Sequence, residues 1–90
     1  MIQLTDKLAI TADELQYIVG KPRRGADKAL RMDNPRYYTN LAQAVRAAVV
    51  RAVRQKVASE EITTLRGCID EMERLTREFE KLTEPLNMEG

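Results

Sequence analysis

Between Asn34 and Arg54 the chain reads Asn-Pro-Arg-Tyr-Tyr-Thr-Asn-Leu-Ala-Gln-Ala-Val-Arg-Ala-Ala-Val-Val-Arg-Ala-Val-Arg, which gathers most of its ligand-holding chemistry in one place. Arg36, Tyr37 and Tyr38 stand just before a helix start that Thr39 or Asn40 would cap, and Arg46, Arg51 and Arg54 follow along the helix. Planar guanidiniums fork onto phosphate, aromatic faces stack on bases, and the free amides of a helix N-terminus attract anions. Together they suit a phosphorylated or nucleotide-like ligand. The competing reading is a solvated basic face that keeps an alanine-rich helix soluble or pairs with acidic residues elsewhere. For the tyrosines it is a pair covering a small core, and strand alternation would send one inward and leave one for a ligand.

Around this segment the charge is unevenly divided. The net formal charge is +1, yet residues 1–58 carry 11 Lys/Arg against 5 Asp/Glu, while residues 59–90 carry 4 against 9. Such an asymmetry fits an anionic ligand near the middle of the chain, or head-to-tail complementarity between subunits. Near-neutral overall charge, with basic residues alternating with small apolar ones, weighs against a nucleic-acid-binding or regulatory module, the main alternative. Arg23 and Arg24, with Lys28 and Arg31, add a basic stretch that is either a plain flexible loop or a second anion site.

What is missing narrows the chemistry further. The chain has no histidine and one cysteine, so it offers no imidazole base, no internal disulfide and no metal-ligand constellation. Binding without catalysis, and without a cofactor, is the expectation. Cys68 lies on an apolar helix face and reads as a small buried residue. The longest apolar run is too short to span a membrane, and Met-Ile-Gln-Leu-Thr-Asp lacks the basic start and apolar stretch of a signal peptide, which fits a reducing cytoplasm.

The elements that must position these residues are predicted as α+β within a single domain, residues 1–90. Lys7–Ile10 and Leu15–Val19 read as strands joined by a polar connection, and Arg36–Tyr38 could add a short third strand. That predicts a small N-terminal antiparallel sheet of two to three strands over residues 1–38. Residues 21–34, polar and basic with Pro22 and Pro35 at hand, read as a loop. A helix is expected over 40–58, started by an Asn40/Gln43 capping box and carrying Leu41, Val45, Val49, Val53 and Val57 on one side. Val50, Ala47 and Ala44 would widen its apolar surface. A second helix is expected over 60–83, with Ser59 as cap and Glu60 and Glu61 at the positive end of the dipole. Ile62, Leu65, Ile69, Met72, Thr76 and Phe79 follow one stripe on it, and Cys68, Leu75 and Leu82 an adjoining one. Pro85 would end it, leaving 84–90 as a tail. A core this small favours oligomerisation.

The Lys-Leu-Ala-Ile…Leu-Gln-Tyr-Ile-Val pattern, the Arg-Tyr-Tyr-Thr-Asn-Leu-Ala-Gln-Ala-Val entry into a helix and the charged final helix together resemble small phage-encoded proteins of the Thoeris anti-defence sponge family. Members bind cyclic ADP-ribose isomers made by bacterial TIR-domain proteins and hold them uncleaved, starving the downstream effector. Some also sequester cyclic oligonucleotides, such as di- or trinucleotides, at separate sites. The resemblance spans roughly Lys7 to Leu82. It implies a protein of the host bacterial cytoplasm, dimers assembled into hexamers through helix contacts, and pockets at subunit boundaries. It also implies that Arg36, Arg46, Arg51 and Arg54 take the pyrophosphate, that Tyr37 or Tyr38 stacks on adenine, and that Asn40 bonds a base edge or ribose hydroxyl. Arg23 and Arg24 would form a second anion site where subunits meet.

Overall fold

The computed structural model describes residues 1–27 and 29–87, and contacts within the chain group it into two compact units that meet in sequence between Ala44 and Val45. The first unit is built on four antiparallel strands, β1 (Ile2–Thr5), β2 (Leu8–Ala12), β3 (Tyr17–Arg24) and β4 (Leu30–Tyr38), in the spatial order β1-β2-β3-β4. The α+β class holds, but the sheet has four strands where two to three were expected. The extra one is β1, a four-residue strand whose Leu4 is buried and whose turn into β2 is closed by Lys7 N–H donating to Thr5 Oγ1 (3.1 Å). The turn from β2 to β3 is fixed by Asp13, whose Oδ1 accepts from Leu15 N–H (2.8 Å) and Gln16 N–H (2.9 Å). Those bonds, that of Leu15 first, hold the Asp13 carboxyl below its usual pKa. Leu8, Ala9, Ile10 and Val19 are buried along the two central strands.

The expected basic loop over 21–34 is corrected. β3 continues to Arg24 and β4 begins at Leu30, so the pair runs on as a two-stranded ribbon with Lys21 opposite Asp33, Pro22 opposite Met32, Arg23 opposite Arg31 and Arg24 opposite Leu30. Only the short turn between them remains, closed by Gly25 N–H to Ala29 O (3.1 Å) and by Asp27 Oδ1 accepting from Ala29 N–H (3.0 Å). Lys28 lies outside the described residues. Pro35 is tolerated because the register slips there. Val19 faces Arg36 and Lys21 faces Asp33, leaving Asn34 and Pro35 opposite the single residue Gly20. This is a β-bulge, with Asn34 in the left-handed region at φ 49°. Gly20 is needed at that point, since a Cβ there would sit 3.1 Å from both Asp33 O and Met32 Cβ.

Helix α1 (Leu41–Ala58) starts as expected, with Asn40 Oδ1 accepting from Gln43 N–H (2.8 Å). Its buried face carries Ala44, Val45, Ala48, Val49, Ala52 and Val53, whereas Val50 and Val57 of the anticipated apolar sides are exposed. Alanines thus take half of the buried positions, which permits close approach of other groups.

The second helix does not begin at Ser59. Glu60, at φ 63°, donates from its N–H to Val57 O (3.1 Å), and Glu61 N–H donates to Lys56 O (2.9 Å). These are the two bonds of a Schellman motif, so residues 59–61 end α1 instead of starting the next helix. Ser59 Oγ itself donates back to Lys56 O (3.2 Å). Helix α2 (Leu65–Leu82) is capped by Thr64, whose Oγ1 accepts from Gly67 N–H (3.0 Å). Ile62, expected on its first stripe, precedes the helix. Leu75 and Phe79 are its buried residues, and Cys68 is half-buried. The expected tail is in part a short helix α3 (Glu84–Asn87), set off by the buried Thr83, whose hydroxyl donates to Phe79 O (2.7 Å). Residues 88–90 lie outside the described residues.

Candidate functional site

The residues singled out in sequence fall into a sheet group, in the first unit, and a helix group, in the second. In the sheet, Tyr38 pairs with Tyr17, Tyr37 with Ile18 and Arg36 with Val19. Paired residues of an antiparallel sheet share a face, and neighbours along a strand alternate. Arg36 and Tyr38 therefore share the face of Val19 and Ile10, while Tyr37 lies on the opposite face and is 56% exposed. The two tyrosines lie on opposite faces, as strand alternation requires, with Tyr38 half-buried. But the exposed ring stands on the side of the sheet away from Arg36. Tyr37 and Arg36 cannot grip the same ligand from one copy of this sheet.

Tyr17 takes the place that sequence reasoning gave to Tyr37. It lies directly across from Tyr38 on the same face, half-buried, with Arg36 at the diagonal position. Directly opposed side chains have Cβ atoms roughly 4.5–5.5 Å apart, and the diagonal neighbour about 7–8 Å, within reach of long side chains. Two aromatic rings and a guanidinium thus form one platform, with the rings at the margin of the apolar face. In sequence Tyr17 was read only as strand material. Its role depends on a pairing 21 positions away, which local periodicity does not carry.

Asn40 is engaged as the helix cap, so its side-chain carbonyl is already spent on Gln43 N–H and its amide N–H₂ remains the group to offer a ligand. In the helix group, Arg46 and Arg54 are exposed and Arg51 is half-buried. On a 3.6-residue period all three fall away from the buried Ala/Val face. Arg51 and Arg54, three apart, are surface neighbours at about 5–6 Å between Cβ atoms. Arg46 is two turns from Arg54, about 12 Å along the axis. Arg51 and Arg54 could clamp one phosphate; Arg46 would reach a different part of a ligand.

The second anion site does not assemble on one ribbon. Arg23 and Arg24 are consecutive strand residues and point to opposite faces, Arg23 with Arg31 and Arg24 with Leu30. Arg23 Nε is paired with Asp33 Oδ1 (2.8 Å) and Arg31 with Asp27 Oδ2 (2.9 Å), which offsets the repulsion of two arginines placed directly opposite.

The strongest electrostatic feature is elsewhere, in the second unit. Glu71 accepts from Arg74 Nε (2.5 Å) and from Lys56 Nζ, and Arg74 also reaches Glu78 (2.8 Å). The Arg74 bond first, then the Lys56 bond, hold the Glu71 carboxyl far down, at about 2. A carboxylate so thoroughly neutralised is a tie between the end of α1 and the middle of α2, and its depressed pKa unfits it as a general base near neutral pH. Among the described residues no group of three His, Cys, Asp or Glu side chains could hold a metal ion. Among the described residues no helix is long and apolar enough to cross a membrane.

Neither protein-family models, nor curated proteins, nor solved structures yield a match to this chain.

Proposed function

We propose that this chain is a phage anti-defence protein that binds and sequesters a nucleotide immune signal, a cyclic ADP-ribose isomer and in addition a cyclic di- or trinucleotide, without cleaving it. It would act as a homo-oligomer in the host bacterial cytoplasm. The reading draws on the family resemblance of the Arg36–Val45 segment. The observation that carries it furthest is the placement of Tyr17, Tyr38 and Arg36 on one sheet face. A base would stack on the Tyr17/Tyr38 platform and a phosphate would meet Arg36. Sequestration asks for complementarity and not for an acid, base or nucleophile.

Isothermal calorimetry against a panel of cyclic ADP-ribose isomers and cyclic oligonucleotides tests this. The expected outcome is saturable heat with at least one isomer, which is then recovered chemically unchanged after the protein is heat-denatured. No heat with any member of the panel, or recovery of a cleaved product, overturns it.

A second reading has its own observation. Lys21, Arg23 and Arg31 share one face of the β3–β4 ribbon, and a two-stranded ribbon fits the major groove of DNA. Asp33 and Asp27 already partner two of these cations on that ribbon, which weakens the case. Affinity for duplex DNA that falls steeply between about 50 and 200 mM salt would favour it, since phosphate contacts release counterions.

A further inference from the structure

The two apolar stripes anticipated on α2 are each used only in part within the chain. Leu75 and Phe79 are buried, while Leu65, Ile69 and Met72 are 77%, 42% and 39% exposed. Those three and Thr76 are spaced 4-3-4, which is a seam on one side of the helix. Thr76 fits a dry seam despite its hydroxyl, because Oγ1 donates to Met72 O (2.6 Å) and is thereby satisfied.

The charges along the seam's open flank indicate what covers it. Arg66, Glu73 and Glu80 line that flank at seven-residue spacing, basic at the N-terminal end and acidic beyond. Among the described residues the side chains of these three make no ion pair. The other flank, Cys68 and Leu75, is taken up within the chain. A parallel copy would turn the Arg66 flank towards the Cys68 and Leu75 flank of the second copy, which offers it no acidic partner. An antiparallel copy sets like flanks together. With Ile69 packed on Met72 of the second copy and Leu65 on Thr76, Arg66 falls beside Glu73 of the second copy, twice about the dyad.

We propose that α2 docks a second copy of this chain antiparallel along Leu65, Ile69, Met72 and Thr76, with Arg66 and Glu73 exchanging charge across the axis. This rests on the part of the proposed function that makes the chain a homo-oligomer, and it names the surface and its direction. It does not depend on which signal is bound.

Light scattering and sedimentation equilibrium at micromolar concentration, with circular dichroism as the folding control, test it. The wild type is expected as a dimer or a multiple of one. Ile69→Glu should halve the mass or raise the dissociation constant at least tenfold with an unchanged spectrum. Arg66→Glu should weaken association about tenfold, and Arg66→Glu combined with Glu73→Arg should restore it to within about threefold of wild type. A monomeric wild type overturns both the oligomer and this surface. An oligomer indifferent to Ile69→Glu overturns the surface alone, and one weakened by Arg66→Glu but not restored by the double exchange overturns the antiparallel direction. Signal binding measured on the same variants reports separately on the sequestering function.

Discussion

Two single side chains decide between structure and binding. Tyr17 is half-buried opposite Tyr38, so truncation to alanine would confound packing with recognition. Phenylalanine keeps the ring and leucine keeps only the bulk. Base stacking on an aromatic contributes about 1–3 kcal/mol, so Tyr17→Leu is expected to lower signal affinity by about five- to a hundredfold while Tyr17→Phe stays near wild type. Equal losses in calorimetry would place Tyr17 in the core alone. Glu60 is the second case. It holds φ 63° at the end of α1, a conformation that disfavours every residue with a Cβ and favours glycine. Glu60→Gly should stabilise the fold by about 1 kcal/mol, seen as a higher urea midpoint at unchanged slope. A lower midpoint would mean that the Glu60 side chain contributes more than its backbone strain costs.

Between α1 and α2 the tie is Glu71 with Lys56 and Arg74, and its pH dependence has a definite sign. The Glu71 carboxyl is depressed in the folded chain from an ordinary 4.5 to about 2. Its contribution is therefore present above about pH 4.5 and is lost as pH falls towards 2. Wild type should lose stability across that interval more steeply than Glu71→Gln. At pH 7 the variant should be less stable by about 1–2 kcal/mol, since it leaves two cations without their shared partner. Parallel pH profiles in chemical denaturation would count against the tie. At this scale the limits of sequence reading are also clearest. The start of α1 was legible because Asn40 and Gln43 act locally, and its end because a polar cluster follows Ala58. Ser59-Glu60-Glu61 misled, since a serine before two acidic residues has the composition of a helix start, while the chain uses those backbone groups to close the preceding helix. The β3–β4 ribbon was hidden for a different reason. Prolines and arginines look like loop, and their place in a strand follows from cross-strand pairing and a bulge that no short window contains. The candidate site suffered most, because Tyr17 joins it only through that pairing.

For the chain as a whole, the proposed binding of a signal by the folded state alone has a thermodynamic signature. A ligand that binds the native state alone at a hundred times its dissociation constant stabilises by about 2.7 kcal/mol, and the denatured chain must let it go. Heat release of intact signal and ligand-dependent melting are two sides of one equilibrium. The same logic makes the melting temperature depend on protein concentration if α2 joins two copies. The bulge at Asn34 and Pro35 bears on how such copies meet. β4 is an outer strand of nine residues, long enough to serve as a template for another chain's backbone. The left-handed Asn34 bends it midway, and Pro35 contributes no N–H to a passing strand. The sheet margin is thereby a poor seed for runaway fibre growth, and the proposed contact between copies is left to side chains, which can be counted and can close.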